Sequence, residues 1–478
     1  MEDFLKITLE CPAFDTERVS VARLEGRETL GRIFELEAYV LTANEHALSA
    51  DDLRGQTICV VISENGEVQR RVWGTISAVV EHLRLDTEYC AYDLRIVPRL
   101  HRMQLVHTQD ILLDMSWTAA IEEKLSRVGL TEASELRLDG DYPEREFIVQ
   151  HGETDLTFVS RLAEHLGITF FFEHGEDEER VVFSDHNEAF PEHPTPIPFG
   201  RFSERHDIYS MKVASEVIPS TVVLQDYNYR TPTADLTATS DVEGGSGGGV
   251  VEYGAHYFTQ SEGEALAKVR AEEIRARQLV YEGESARPEL YPGLRIEVEG
   301  HAGLADTALL ITEVRHHAHQ NVMGQGSDEP SHYGNTFRAI PADRTYRPPR
   351  RTPKPRLTGF YTGLIQPVDA HVVGPSAQLD PEGRYRVRML FDIAPREGWV
   401  SHPIRMAQPH SGAGHGMHFP LRPGVEVAIV FANGDPDRPI ILGALDNPVT
   451  PSPTTQRNAR QNIVSTASGI TITLRDNR

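Results

Sequence analysis

The chain has 478 residues, 39% of them hydrophobic, 8% aromatic and 25% charged, with a formal charge of −24. This is globular rather than disordered composition, long enough for about three domains, and no apolar run approaches the ~20 residues of a membrane span. The acidic balance argues against general binding to nucleic acid or anionic membranes, and three cysteines (Cys11, Cys59, Cys90) without a CxxC argue against a disulfide framework or zinc ribbon.

The opening stretch MEDFLKITLECPAF has early acids and no apolar segment of secretory type, so cytoplasmic synthesis without a signal peptide is expected. Residues 58–62 (ICVVI) read as a strand that turns at Asn65-Gly66 and returns through Val68 to Gly74. Residues 89–97 alternate loosely, and 222–224 and 309–311 are further strand candidates. Three helices are predicted. One covers 116–128, with Trp117, Ala120, Ile121, Leu125 and Val128 on one face and Gly129 as its stop. The second covers 154–166, with Leu156, Val159, Leu162 and Leu166 aligned and Gly167 following. The third opens on a capping-box pattern, Ser261-x-x-Glu264, and runs to about Arg277. Strands with a few interspersed helices give a mainly β chain with α+β elements, not a doubly wound sheet.

Two breaks punctuate this body. The run from Gly244 to Gly249 is read as a surface loop or flexible link. A phosphate-cradling loop is the alternative, but no Lys-Ser/Thr follows and the next residues resemble a strand. Residues 346–357 contain Arg347, Arg350, Arg351, Lys354 and Arg356 among four prolines. Proline fixes φ and removes a donor, so a semi-rigid strap is expected, and a nucleic-acid arm is the alternative. The strap divides the charge: residues 346–478 hold 16 Lys+Arg and 10 Asp+Glu, leaving 31 and 61 in residues 1–345.

The tail reads as a small β-barrel over 358–447. From Gly383 to Phe391 the period is two: Tyr385, Val387, Met389 and Phe391 share one face, and Arg384, Arg386 and Arg388 the other. That arginine row is expected to be solvated or subunit-facing rather than an oligonucleotide site. Val425, Val427, Ile429 and Phe431 form another strand, Asn433 to Asp437 is dense turn chemistry, and Ile440 to Leu442 follows as a short buried strand. Residues 448–478 form a linker and a last strand in which Ile470, Ile472 and Leu474 alternate with threonines. One such strand cannot bury its apolar row alone and calls for partners from other chains or from a continuation.

Candidate chemistry is sparse. His316, His317 and His319 on one strand cannot converge as three ligands, so an exposed polar strand is expected. His410, His415 and His418 fit no named metal motif. Glu153, Asp155, Arg161 and Glu164 are read as positioning a helix rather than performing acid–base work, with Arg161 and Glu164 as i,i+3 neighbours. No HExxH, GxSxG or Walker sequence occurs, and residues 447–463 are too few for an inserted enzyme. No catalytic, cofactor or metal residue is assigned.

Four blocks in order carry a family resemblance. The first runs from Arg145 to Ile168 and shows the pattern E-x-D-x-x-F-x-x-R-L-x-E-x-x-G-I at Glu153, Asp155, Phe158, Arg161, Leu162, Glu164, Gly167 and Ile168. The others are Val372-Val373-Gly374-Pro375 with Gly383-Arg384 and Val387; Trp399-Val400 through Ala407-Gln408-Pro409, Gly412, Gly416-Met417 and Pro420 to Gly424-Val425-Glu426-Val427; and Gly434-Asp435-Pro436-Asp437-Arg438-Pro439-Ile440. In these blocks the chain resembles the VgrG (valine–glycine repeat) spike proteins of type VI secretion, akin to the hub and needle proteins of contractile phage tails. The resemblance implies a phage-hub-like body of two similar barrels at 1–345, an OB-fold barrel at 358–447 and the start of a trimeric β-helical spike. It further implies a homotrimer without enzymatic activity. Its partners would be an Hcp-type tube ring, baseplate proteins, a PAAR-type tip and effectors, with transient target-membrane contact and no nucleic acid or cofactor. The implied assembly residues are Arg161, Glu164, Gly424, Glu426, Asp435, Asp437, Arg438, Ile470, Ile472 and Leu474. The alternatives are the spike of an extracellular injection particle or tailocin, a cell-wall glycan hydrolase using Glu153 or Asp155, and a monomeric OB-type binding module.

Overall fold

The computed structural model describes residues 5–83, 88–200, 208–304, 307–322, 330–367, 376–392 and 401–476. Two compact units emerge: Met1–Val106, Ile121–Asp141 and Thr154–Pro353 form one, and His107–Ala120, Tyr142–Glu153 and Lys354–Arg478 the other. Among the described residues no helix is long and apolar enough to cross a membrane.

The first unit begins with strands β1 (Leu5–Glu10), β2 (Ser20–Thr29), β3 (Glu35–Ala43), β4 (Thr57–Glu64), β5 (Glu67–His82) and β6 (Tyr89–Val97), with a one-turn helix α1 (Ala50–Leu53) before β4. They lie in the order β1-β4-β5-β6-β3-β2, all antiparallel. The β4–β5 turn falls at Asn65 and Gly66 with φ of 53° and 86°, the left-handed pair a two-residue hairpin needs. Period two sends Ile7, Leu9, Leu24, Leu36, Ile58, Val72, Ile76, Leu94 and Ile96 inward, each nearly devoid of exposure. The carboxamide of Gln320 spans the end strands: it accepts from the Ile7 N–H (2.8 Å) and donates to the carbonyls of Ile7 (3.0 Å) and Val21 (2.7 Å). That closes the sheet into a barrel.

Next come β7 (His107–Leu112), α2 (Trp117–Arg127), β8 (Ser134–Arg137), β9 (Ile148–Thr154), α3 (Asp155–Leu166), β10 (Thr169–His174) and β11 (Glu179–Ser184). The boundary between units falls inside α2. Helix α3 matches its periodicity: the Thr154 side chain caps the Thr157 N–H, and Gly167 closes the helix at φ 73°.

The remaining elements of this unit are β12 (Ile197–Pro198), β13 (Ile208–Ser215), β14 (Thr221–Gln225), β15 (Thr237–Asp241), β16 (Gly249–Tyr253), α4 (Gln260–Ala276), β17 (Leu279–Ser285), β18 (Arg295–Glu299), β19 (Ala308–His319) and β20 (His332–Pro341). A second barrel forms in the order β12-β18-β19-β20-β17-β13, around Ile208, Tyr281, Leu294, Ile296, Ile311, Val314 and Phe337. Strands β14–β16 and α4 form a separate α/β insert between β13 and β17. The cap of α4 lies two residues before the expected one. Thr259 accepts from the Glu262 N–H, and the Glu262 carboxylate receives the Phe258 N–H at 3.2 Å. The cap is therefore Thr259, with Glu262 reaching back one residue beyond it; Ser261 and Glu264 already lie in the first turns. The glycine run joins β15 to β16, and it is stitched rather than loose: Gly245 N donates to Val242 O (3.0 Å), Ser246 N to Ile218 O (3.0 Å), and Ser220 N to Gly248 O (3.2 Å). A Cβ on Gly245 would sit 2.4 Å from the Ser220 Cα, so close backbone approach explains this glycine.

The second unit adds β21 (Tyr361–Gln366), β22 (Arg386–Met389), the hairpin β23 (His410–Gly412) and β24 (His415–Met417), then β25 (Glu426–Phe431), β26 (Pro439–Ala444), β27 (Gln461–Ser465) and β28 (Thr471–Arg475). Its main sheet runs β22-β21-β25-β26. Ile365, Tyr385, Val387, Met389, Val427, Ile429, Phe431 and Ile441 form its core, completed by Ile111, Phe147 and Val149 from the segments around β7 and β9. The strand expected over 383–391 is shorter: Phe391 lies beyond it and packs from outside the fully buried set. The arginine row is not uniformly solvated either. Arg384 is buried, with Nε 2.6 Å from Asp380, whereas Arg388 is exposed.

Candidate assembly sites

Glu164 and Arg161 lie in the last two turns of α3, and both are buried. Arg161 stacks its guanidinium 4.8 Å from the Phe158 ring centroid. Glu164 looks to the Pro/Arg strap. One carboxylate oxygen accepts the backbone N–H groups of Arg351 (2.8 Å) and Thr352 (2.7 Å), and the other takes the Thr352 hydroxyl (2.8 Å) and Arg32 (3.0 Å). Arg347 reaches Glu272 (2.7 Å) and the Gly167 carbonyl (3.2 Å), and Arg350 pairs with Glu252 (2.9 Å) and Glu273 (3.3 Å). The hydrogen bond from Arg350, outweighing burial, holds the Glu252 carboxyl below its usual range. Two of the strap's five basic side chains, Arg347 and Arg350, are thus paired with acids of the body, which favours the strap reading over a nucleic-acid arm.

Asp435, Asp437 and Arg438 gather at the β25–β26 turn. The Asp437 carboxylate is nearly buried; it accepts the Val149 N–H (2.6 Å) and pairs with the Lys354 ammonium (2.7 Å), which also reaches Asp435 (2.5 Å). Arg438 lies 3.8 Å from Asp435. These residues tie three separate chain segments to one turn. Gly424 (φ 87°) sits apart, with its N–H on the Ile365 carbonyl at 2.8 Å, and Glu426 accepts from the Asn447 side chain at 2.8 Å.

The last segment departs from the single strand expected. It is a hairpin in which β27 and β28 pair antiparallel, with Val464 opposite Ile472 and Asn462 opposite Leu474. A turn centred on Ala467-Ser468, closed by the Gly469 N–H on the Thr466 carbonyl (3.0 Å) and followed by Gly469 at φ 93°, makes this possible. Ile470, Ile472 and Leu474 share a face with Val464 and are 67%, 59% and 64% exposed.

One cluster escaped the sequence reading. His316, expected on an exposed strand, is buried. Its Nε2 lies 2.7 Å from Glu28 and its Nδ1 2.6 Å from the Tyr333 hydroxyl, while Arg70 clamps Glu28 at 2.6 and 2.9 Å. Burial pushes the Glu28 carboxyl up, but Arg70 and His316 outweigh it and hold it at about 2. Burial lowers His316, and it lowers nearby His174 to about 4 with help from Arg70. A signal existed in the sequence: Glu28, Arg70 and His316 each fall on the apolar face of their strand, in phase with Leu24, Val72 and Val314. Asp155 is equally enclosed, 3.1 Å from Lys124, with 2% and 0% of the side chains exposed. That pairing speaks against Asp155 as a catalytic acid or base. His410 and His415 sit across an exposed hairpin with ring centroids 5.3 Å apart, and His418 bonds the Tyr385 hydroxyl at 2.9 Å. Val372 to Pro375 and Trp399-Val400, which contribute to the resemblance, lie outside the described residues.

Two hub-type barrels followed by an OB-type barrel define a baseplate-hub class of protein. The phage tail baseplate hub (GPD) family matches residues 27–322, and the type VI secretion system/phage-baseplate injector OB domain matches 371–445. The chain belongs to the phage tail baseplate hub family. It is 27% identical over 447 residues to the type VI secretion system spike protein VgrG5 of Pseudomonas aeruginosa, covering 89% of this chain and 55% of that one. It is 30% identical over 394 residues to VgrG4b of the same organism, covering 76% and 47%. The chain therefore spans about half the length of these curated relatives. A solved Escherichia coli type VI secretion component, described as structurally similar to the T4 bacteriophage tail proteins gp27 and gp5, shares the fold with a TM-score of 0.68 at 23% identity. That match covers 91% of this chain and 99% of the other.

Proposed function

We propose that this protein is the homotrimeric hub and spike base at the tip of a contractile type VI secretion machine. The observation that carries the reading is the order of modules in one chain: two hub-type barrels, a pinned strap, an OB-type barrel and a hairpin whose apolar face is bare. We propose the divisions 1–345 for the hub body, 346–357 for the strap, 358–447 for the barrel and 448–478 for the root of the spike. Ile470, Ile472 and Leu474 take part in interchain packing, whereas Arg161, Glu164, Asp435, Asp437, Arg438, Gly424 and Glu426 hold the modules in shape.

The role is mechanical rather than catalytic. A tip driven through a membrane must resist unfolding under load, which is governed by the unfolding rate, and interchain β-pairing leaves no free edges to peel. Three copies of a −24 chain also need basic or ion-compensated contacts from a tube ring or baseplate beneath them. A PAAR-type tip and effectors would join through the completed spike. Assembly takes place in the cytoplasm, and contraction then exports the tip. Native mass spectrometry tests the reading: a three-chain species is expected, and a lone chain at every concentration would refute it.

A further inference from the structure

The hairpin β23–β24 stands apart from the main sheet of its unit and pairs only with itself among the described residues. Each of its residues is exposed. A two-stranded hairpin with no packed face is marginal in water, so its backbone bonds alone hold it weakly. Its register puts His410 opposite Met417 and Gly412 opposite His415. Opposed residues share a face, as do residues two apart, so His410, His415 and Met417 project on one side. His418 takes the other side and bonds the Tyr385 hydroxyl at 2.9 Å.

These three side chains are arranged as ligands. The ring centroids of His410 and His415 are 5.3 Å apart. With metal–nitrogen bonds of about 2 Å, two imidazoles on one cation stand roughly 5–5.5 Å apart, centroid to centroid. A glycine permits this separation. A Cβ on Gly412 would lie 2.5 Å from the His415 ring, which fills the space of the missing side chain and so lies beside His410. His415 Nδ1 is 3.2 Å from the Ala413 carbonyl. That hydrogen bond puts the proton on Nδ1 and leaves the Nε2 lone pair for a cation, as in histidines oriented for metal binding. Met417 is 49% exposed, and from its place directly opposite His410 its flexible side chain can bring the thioether to the same point.

The donor set selects the cation. Two neutral imidazoles and a thioether carry no negative charge, and residues 401–425 contain no Asp, Glu or Cys. Calcium and magnesium require oxygen ligands. Zinc sites are built from cysteine, histidine and carboxylate rather than thioether. A soft thioether joined to imidazole suits monovalent copper. We propose that His410, His415 and Met417 form a Cu(I) site on the β23–β24 hairpin. The bound ion ties the two strands together where packing does not. The site goes beyond the mechanical role proposed above and does not depend on it.

The test is anaerobic titration of the full chain with Cu(I) against the chromophoric chelator bicinchoninate, with X-ray absorption at the copper edge. The wild-type chain should withhold one equivalent from the chelator, with nitrogen and sulfur neighbours around the metal. Met417→Leu keeps the bulk of the side chain; it should bind about tenfold more weakly or worse and lose the sulfur neighbour. The double variant His410→Gln with His415→Gln should lose the equivalent. Cys90→Ser, which removes the partly exposed thiol, should retain it. Circular dichroism should stay unchanged throughout, because the altered hairpin side chains are exposed. A wild-type chain that withholds no copper overturns the site. So does loss of the equivalent in Cys90→Ser, which would place the metal at that thiol, and so does parent-like binding by Met417→Leu or by the double histidine variant.

Discussion

Glu28, Arg70 and His316 show what a single buried charge demands. A carboxylate removed from water is tolerated here because one guanidinium nitrogen of Arg70, reaching both its oxygens, and an imidazole satisfy it. Glu28→Gln should strip Arg70 of its counter-charge and cost ~3–5 kcal/mol, read as a lower denaturation midpoint at pH 7; a loss under ~1 kcal/mol would contradict this. The pH dependence follows in sign. Glu28 is depressed from 4.5 to about 2, so its contribution is complete above 4.5 and fades as pH falls toward 2. His174 is depressed from 6.5 to about 4, and His316 also lies below 6.5, so their contributions fade as pH falls below 6.5. The joint contribution of these three groups should therefore be constant above about pH 6.5 and fade in two stages below it, whereas Glu179, raised from 4.5 to about 7 by burial, contributes in the opposite sense between those values. In Glu28→Gln the stage below pH 4.5 should shrink. Alternation alone placed these side chains on inward faces, but only the meeting of β2, β5 and β19 supplied their partners.

At the scale of elements, helix α3 and the strap depend on each other. Thr154→Ala removes the cap of α3 and should cost about 1 kcal/mol in equilibrium unfolding, with Thr154→Ser retaining most of it. Glu164→Ala leaves the Arg351 and Thr352 N–H groups without their acceptor. Trypsin should then cut after Arg350 or Arg351 on the order of ten times faster, the equivalent of about 1.4 kcal/mol of easier local opening. An unchanged cutting rate would mean that the arginine–carboxylate pairs hold the strap without Glu164. Prolines and arginines made the strap legible as a proline-rich basic segment. Its anchorage was not, because Glu164 lies 188 residues from Thr352. The α4 cap was displaced for a local reason: two overlapping T/S-x-x-E patterns compete, and Thr259 was chosen where the Glu262 side chain reaches back to Phe258.

At the scale of the whole molecule, the C-terminal hairpin leaves an apolar row in water. Ile472→Asp would place a charge in that row, directly opposite Val464. If the row packs between chains, the variant should dissociate at protein concentrations where the parent stays trimeric, while each chain keeps its fold. Sedimentation velocity reads the first effect and circular dichroism the second. Unaltered association would move the trimer's hold to the hub edges. Removal of residues 461–478 should act in the same direction and more strongly.

Periodicity, turn residues and ordered motif blocks were local enough for the sequence to determine the mainly β class, three helices, the strap and the family resemblance. Backbone sterics and apolar spacing act within a few residues, and they are written where they act. The tertiary structure alone decided that Gln320 bridges β1 and β2, that His316 is buried against Glu28, and that the last strand folds back as a hairpin. Ladder register and the desolvation of a charge depend on segments up to hundreds of residues apart, and no window of sequence contains both partners.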